Sequence, residues 1–338
     1  LAITRVAVIG CGLIGRRRAG VISEDASSVL ASVVDSNAAL ASETGAEFGC
    51  EWNADWRPVV ARGDVDAVVI ATPNAFLAPI AIEALRAGKH VLLEKPMGRT
   101  LAEAREIAAV AAGAGRLVKV GFNHRYHPAL GAAFALVSSG TIGRPINIRA
   151  VYGHGGRPGY EREWRGDPAL AGGGEATDQG VHIFDLIAWF AGVPSEVFAY
   201  TQSAVWPIAP LEDNAFGLFR FDSSALASFH TSWTQWKNRF TFEVYGELGS
   251  VEVTGLGKSY GTETLVTGTR NREGGPPRMT RREFDGPDES WRLEWADFQS
   301  AIRDGKPYMG GPQDGLAAMA MLDAVYRSAA TGLTTAVG

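Results

Sequence analysis

Residues 10–15 read Gly-Cys-Gly-Leu-Ile-Gly, and this G-x-G-x-x-G run constrains the fold of the chain more than any other feature. A β-branched run, residues 3–9, precedes it, and a helical pattern, residues 13–22, follows. In a strand–turn–helix setting the three glycines have separate tasks. Gly10 permits a tight turn, Gly12 lets backbone approach a pyrophosphate, and Gly15 lets the helix lie close against the strand. The positive end of that helix, at Leu13 and Ile14, then faces the phosphates. Asp35 lies twenty residues beyond Gly15, at the end of a second strand, residues 29–34. A carboxylate there accepts both ribose hydroxyls and repels a 2′-phosphate, and Ser36 brings no compensating arginine. NAD is therefore expected in preference to NADP.

The same strand–helix alternation continues. Residues 67–70, 90–93 and 117–120 read as strands, with helical patterns at 38–48, 77–87 and 101–112 between them. Parallel neighbours need such long crossovers, and right-handed crossovers give a doubly wound sheet. Beyond residue 123 the texture changes. Alternating runs at 146–152, 196–204, 215–221, 225–233, 240–245 and 250–253 follow one another with little helix between them. Short turns such as Asp222-Ser223-Ser224 and residues 246–249 predict a largely antiparallel sheet. Helical patterns after Thr177, Glu289 and Pro312 would cover one face, and residues 268–277 read as a surface loop. The expected fold class is α/β. Residues 1–122 form a Rossmann domain with a doubly wound parallel sheet, and 123–338 an α+β substrate and oligomerisation domain with a large, mostly antiparallel open sheet.

A formal charge of −5 argues against nucleic acid or an anionic membrane as partner. The basic run Arg16-Arg17-Arg18 is short enough to be the exposed side of a helix. Two cysteines, Cys11 and Cys50, make neither a disulfide framework nor a metal-spaced pair, which fits a reducing cytoplasm. No leader opens the sequence and no apolar run approaches membrane-spanning length, so a cytoplasmic protein is expected.

Three further segments carry chemistry. Thr72-Pro73-Asn74 ends the third main strand, at the sheet edge where ligands bind. Asn74 there is either a cofactor contact or a helix cap. Glu94-Lys95-Pro96 follows the fourth main strand on the same edge. A partly dry lysine beside a cationic nicotinamide ring would trade protons with a substrate hydroxyl, and a cis bond at Pro96 would fix its direction. The third segment runs from Gly172-Gly173-Gly174 through Asp178 to His182. Asp178 and His182 are four residues apart at a helix start, and Asp185 follows one turn later. An α-helix puts all three on one face of an otherwise apolar stretch, and polar groups gathered there need a reason. A metal is one alternative, but no nearby His or Cys completes a ligand set, and none is expected. An N-terminal cap followed by a core histidine is the other.

These marks resemble the glucose–fructose oxidoreductase/inositol dehydrogenase (Gfo/Idh/MocA) family. They comprise the 10–15 loop, Ala71-Thr72-Pro73-Asn74, Ala87-Gly88-Lys89-His90-Val91, Glu94-Lys95-Pro96, and the glycine run leading to Asp178 and His182. The resemblance implies a catalytic set of Lys95, Asp178 and His182. His182 would be the general base on the reacting hydroxyl, Lys95 would hold that oxygen, and Asp178 would orient the pair. Asp185 falls where sugar and inositol members carry an aspartate. Many members place a histidine three residues beyond Asn74, where this chain has Leu77.

For substrate, Arg125 and Tyr126 in the Asn123-His124-Arg125-Tyr126-His127 segment can donate to hydroxyls. Residues 160–165, with Trp164 and Arg165, could form a loop over the pocket. Trp233 and Trp236 could stack on a sugar face or lie in the core, and His124 and His127 could be merely superficial. The expected function is an NAD-dependent dehydrogenase acting on a ring hydroxyl of a sugar or cyclitol, in a homodimer or homotetramer. Two rivals are an NAD-dependent glycosidase of the same fold, whose members often carry an export signal, and a non-catalytic NAD-linked sugar sensor. The sensor reading sits poorly with a chain that keeps both the lysine and the histidine.

Overall fold

The computed structural model describes residues 3–338 and divides into two compact units. The first holds the chain up to Phe122 together with Trp291–Leu316, and the second holds Asn123–Ser290 and Ala317–Gly338.

The first unit carries β1 (Thr4–Ile9), α1 (Leu13–Glu24), β2 (Ser28–Val34), α2 (Ala38–Phe48), β3 (Glu51–Asn53) and α3 (Trp56–Val60). It continues with β4 (Ala67–Ile70), α4 (Asn74–Arg86), β5 (His90–Leu93), α5 (Leu101–Ala114) and β6 (Val118–Val120). The strands form one parallel sheet in the order β3-β2-β1-β4-β5-β6. Strands covered on both faces must be apolar without alternation, and Ala67–Ile70 is fully buried along its length. The order reverses between β1 and β4, and ligands bind at the carboxyl ends of strands beside such a reversal. Gly10, Asp35, Ala71 and Glu94 each follow directly from one of the four central strands.

The second unit carries α6 (Pro128–Ser138), β7 (Pro145–Gly153), α7 (Pro168–Ala171), α8 (Val181–Ala191), β8 (Glu196–Gln202), β9 (Asn214–Arg220) and β10 (Leu226–Ser232). Then come β11 (Arg239–Gly246), β12 (Gly249–Thr254), β13 (Glu263–Thr269) and β14 (Arg278–Phe284). The last elements of the chain are α9 (Ser290–Asp304), which beyond Ser290 belongs to the first unit, α10 (Pro312–Thr331), which passes to the second unit after Leu316, and β15 (Thr335–Ala336). Nine strands make one sheet, β14-β13-β12-β11-β7-β10-β9-β8-β15, antiparallel except for the β7–β10 pair. Alternation decides its faces. Phe219, Phe229 and Phe242 point inward, where Phe184 of α8 meets Phe219 and Phe229 edge-on at 5.6 and 5.0 Å, and Phe190 meets Phe242 at 4.9 Å. Tyr200, Phe216 and Leu218 alternate with the inward set and remain exposed.

Chain order alone assigns residues 291–316 to the second domain, whereas they pack in the first unit. Trp295 and Phe298 of α9 join Val6, Ala19, Ile22 and Val33 in its core, and Lys119 Nζ meets Asp297 at 2.9 Å. Residues 268–277 are only partly a loop, because Gly268 and Thr269 complete β13 before the hairpin to β14. Among the described residues no helix is long and apolar enough to cross a membrane.

Candidate active site

In the first unit the glycine turn is shaped as its sequence requires. Gly10 has φ +98°, and a Cβ there would lie 2.4 Å from the Ala71 carbonyl oxygen. A Cβ on Gly15 would lie 1.7 Å from the Gly10 oxygen, so α1 can approach β1 only because that position is bare. A Cβ on Gly12 would meet nothing within 4 Å. The residue also caps α1 without any side-chain hydrogen bond to the helix N-terminus. Bare backbone donors beside open space suit an anion. Leu13 is exposed and Ile14 half-buried on the same turn. At the tip of β2, Asp35 Oδ2 accepts the Cys11 N–H at 2.9 Å and Oδ1 accepts that of Asn37. This carboxylate is thereby fixed against the glycine loop. Burial pushes the Cys11 thiol up to about 11, so the cysteine inside the loop is not a nucleophile at neutral pH.

Pro73, not Asn74, is the cap residue of α4, and Asn74 enters the helix as its first residue, buried. The alternative in which Asn74 is the cap residue is thus not realised. Thr72 Oγ1 is buried at the same strand end. Leu77 is fully buried in α4. It belongs to the interior, so a polar contact from this position is lost together with its exposure.

Glu94, Lys95 and Pro96 follow β5, and the Lys95–Pro96 bond is cis. Lys95 is half-buried. Glu94 is tied to a buried guanidinium: Arg18 donates from Nε and Nη2 to Glu94 Oε1 at 2.9 and 2.7 Å, and from Nη1 to Glu294 Oε2 at 2.5 Å. Burial pushes the Glu294 carboxyl up against the pull of Arg18. Arg18 is therefore not a solvated member of the arginine run. It anchors the segment that carries Lys95.

In the second unit the glycine run ends in a π-helical turn, Ala176–Gly180, that passes into α8. Such widened turns recur at functional sites. Glu212 pins this one: its carboxylate accepts the N–H groups of Gly174 and Ala176 at 3.1 and 3.0 Å and the Tyr326 hydroxyl at 2.8 Å. Tyr326 Oη lies 2.8 Å from Thr177 Oγ1. A Cβ on Gly174 would come within 2.0 Å of the Glu212 carbonyl oxygen, which explains the glycine. Burial raises the Glu212 carboxyl above its ordinary value.

The expected α-helical spacing holds between His182 and Asp185 within α8, whereas Asp178 lies in the π turn that precedes it. Asp178 Oδ2 accepts Arg165 Nε at 3.0 Å, and the Asp178 charge is the main reason the guanidinium holds its proton more firmly than usual. Arg165 also lies over the Trp164 ring, 4.5 Å from its centroid. Asp185, fully buried, takes a bidentate pair from Arg125 at 2.9 and 2.6 Å. His182 stacks on His124, with centroids 3.8 Å apart and planes 14° from parallel. The 160–165 loop thus reaches Asp178, and the Asn123–Tyr126 turn reaches α8, with Tyr126 half-buried on it.

Several sequence expectations change here. His124 and His127 are not superficial; they are 4% and 2% exposed, and His127 Nδ1 meets Glu263 Oε1 at 2.7 Å. Trp233 is a core residue stacked 4.7 Å from Tyr160, whereas Trp236 is exposed. Sequence reasoning missed Glu212 and Tyr326 altogether, and no motif marks them. It also missed the group of Tyr152, Tyr260 and Gln179, in which Gln179 Nε2 donates to Tyr260 Oη at 3.0 Å.

Comparison with known proteins finds relatives across most of the chain. The family model described as "Oxidoreductase family, NAD-binding Rossmann fold" matches residues 4–122, and that of the GFO/IDH/MocA C-terminal domain matches residues 131–252. The 1,5-anhydro-D-fructose reductase of Ensifer adhaerens is 35% identical over 90% of this chain and 89% of its own. Inositol 2-dehydrogenase 2 of Saccharopolyspora erythraea is 30% identical over 98% and 95%. Among solved structures, a levoglucosan dehydrogenase in complex with NADH and L-sorbose superposes with a TM-score of 0.91 at 25% identity, covering 100% of both chains.

Proposed function

Because the chain belongs to the GFO/IDH/MocA family of NAD-binding oxidoreductases, we propose that it moves a hydride between a ring hydroxyl or ketone of a sugar or cyclitol and a nicotinamide. The relatives named for anhydro-sugar, levoglucosan and inositol substrates support that substrate class. The observation that carries the proposal is the turn at Asp178–His182. There a carboxylate paired with Arg165 stands one turn before an imidazole, on a backbone pinned by Glu212.

The residues of the first unit fit the cofactor. Gly10, Gly12, Leu13, Ile14 and Gly15 would hold the pyrophosphate, and Asp35 the adenosine ribose. Thr72, Pro73, Asn74, Glu94 and Lys95 would line the nicotinamide end. Asp35 favours NAD over NADP, since its fixed carboxylate repels a 2′-phosphate. When bound, NAD supplies the two-electron acceptor. His182 takes the hydroxyl proton in the oxidative direction. The role carried by Lys95 is to stabilise developing alkoxide charge, and Asp178 orients the base. Arg125, Tyr126, Trp164 and Arg165 complete the substrate contacts, and the buried Asp185 serves them through its pair with Arg125. The exposed side chains of Tyr200, Phe216 and Leu218 support assembly with further copies into a homodimer or homotetramer.

The test is a screen of inositols, aldoses and anhydro-sugars, each with NAD and with NADP, read by formation of the reduced cofactor. Turnover of at least one polyol with NAD, and much less with NADP, is expected. No reduced cofactor with any member of the panel, from enzyme that binds NAD, would overturn the proposal.

A further inference from the structure

His124 has no role in the reaction as set out above, yet it is the residue in closest ring contact with His182. The two imidazoles lie face to face, 3.8 Å apart and 14° from parallel, and both are buried. Other rings surround His124: Tyr152 at 5.3 Å, His127 at 5.7 Å and Phe240 at 6.1 Å, and Tyr152 flanks the pair, 6.4 Å from His182 as well. One face of His124 is thus committed to His182, and its surroundings are rings from β7 (Tyr152), β11 (Phe240) and the N-cap of α6 (His127).

Hydrogen bonds fix the ring further. Ser290 Oγ donates to Asp288 Oδ1 at 2.6 Å, so it accepts from Asn123 Nδ2 at 3.0 Å. That turns Asn123 Oδ1 toward His124 Nδ1, 3.1 Å away, and assigns the proton to Nδ1. The next residue, Arg125, grips Asp185 with two hydrogen bonds. Asp185 lies three residues after His182 on α8, so consecutive residues of the 123–126 turn hold two side chains on one side of that helix. This is a two-point clip, one point an ion pair and the other a ring stack.

Resting on the dehydrogenase reading above, we propose that His124 is a positioning residue whose flat ring sets the plane of the His182 imidazole. A general base must hold its nitrogen within hydrogen-bond reach of one hydroxyl, and a misplacement of about 1 Å can cost roughly a hundredfold in rate. An imidazole on a helix rotates about two side-chain bonds. A parallel ring at van der Waals distance removes most of that freedom, and an aliphatic neighbour of similar bulk does not.

The experiment compares His124→Phe with His124→Leu, with His182→Gln as the reference for loss of the base. We expect Leu to lower kcat about 10- to 100-fold while KM for the polyol and Kd for NAD stay within about twofold. We expect Phe, which keeps the flat partner, to restore kcat to within about threefold. Leu at the wild-type kcat would overturn the proposal, and so would Phe as impaired as Leu with both variants folded. Nitrogen-15 NMR of the His182 ring in NAD-free enzyme gives a readout independent of turnover. One sharp set of signals is expected in wild type and the Phe variant, and exchange broadening in the Leu variant. Equal sharpness in all three would refute the stack as a constraint. A wild-type enzyme that turns over no polyol would sink the dehydrogenase reading and leave the NMR comparison standing.

Discussion

Replacing Gly12 and Gly15 by alanine, one at a time, separates a cofactor cradle from a purely structural turn. At Gly15 the added methyl would overlap the Gly10 carbonyl oxygen at 1.7 Å, and that oxygen belongs to backbone that cannot swing aside. Overpacking of this kind costs about 1–3 kcal/mol, and more where backbone must move. A Tm drop of about 4 °C or more follows for a unit of this size. At Gly12 the methyl meets nothing within 4 Å, and φ −67° with ψ −172° suits any residue. The cap preference for glycine over alanine costs about 0.5–1 kcal/mol, and the reduced freedom of the unfolded chain returns about 0.4–1 kcal/mol. Gly12→Ala should therefore melt within about 2 °C of wild type. Its methyl nevertheless occupies the space through which backbone meets pyrophosphate, so Kd for NAD should rise about tenfold or more. The assays are a thermal melt and calorimetric NAD titration. Unchanged NAD affinity in Gly12→Ala would refute the cradle, and an unchanged Tm in Gly15→Ala would refute the packing.

Other perturbations have equally definite outcomes. Arg125→Met strands the buried Asp185 carboxylate and should cost about 3–5 kcal/mol in chemical denaturation, with much of it recovered in Arg125→Met/Asp185→Leu; equal stability of the single and double variants would argue against the pair. Asp35→Ala should weaken NAD binding by about tenfold while improving that of NADP, measured side by side, and a parallel loss of both would mean the carboxylate serves the loop alone. His230, stacked on Phe216, is held down to about 4 from 6.5, first by burial and then by Arg239. Its folded value is depressed, so the unfolded chain binds the extra proton first, and Tm should fall as pH drops from about 6.5 toward about 4. His230→Gln should flatten that window relative to wild type, and an identical pH dependence would exclude His230 as its source.

The parallel sheet was legible because its central strands are mostly apolar and buried and its glycines fall at a strand–helix junction. The sequence runs 67–70 and 90–93 coincide with β4 and β5. Short or polar elements were not legible. β3 has three residues, and β14 is exposed over nearly its whole length, so neither shows the apolar periodicity on which the reading depends. α4 starts at Asn74 rather than Leu77, with Pro73 as its cap residue, so the helix begins before its apolar run does. The return of residues 291–316 to the first unit rests on Trp295 and Phe298 filling a distant core, and chain order does not encode that.

Within the site, motif spacing marked Asp178, His182 and Asp185 but implied one α-helical face. The π turn and three separate partners appear only in three dimensions. The residues that hold this turn, Glu212 and Tyr326, are separated from it by tens to more than a hundred positions. A buried carboxylate gathered around backbone N–H groups has no local signature.

The most direct measurement follows reduced-cofactor formation by wild type and Lys95→Ala on the polyol that turns over, beside the NAD dissociation constant of each. The account predicts that the variant binds NAD within about twofold of wild type and loses turnover by about a thousandfold, as removal of a group that stabilises developing charge should. A Lys95→Ala enzyme that oxidises the polyol at the wild-type rate would contradict it.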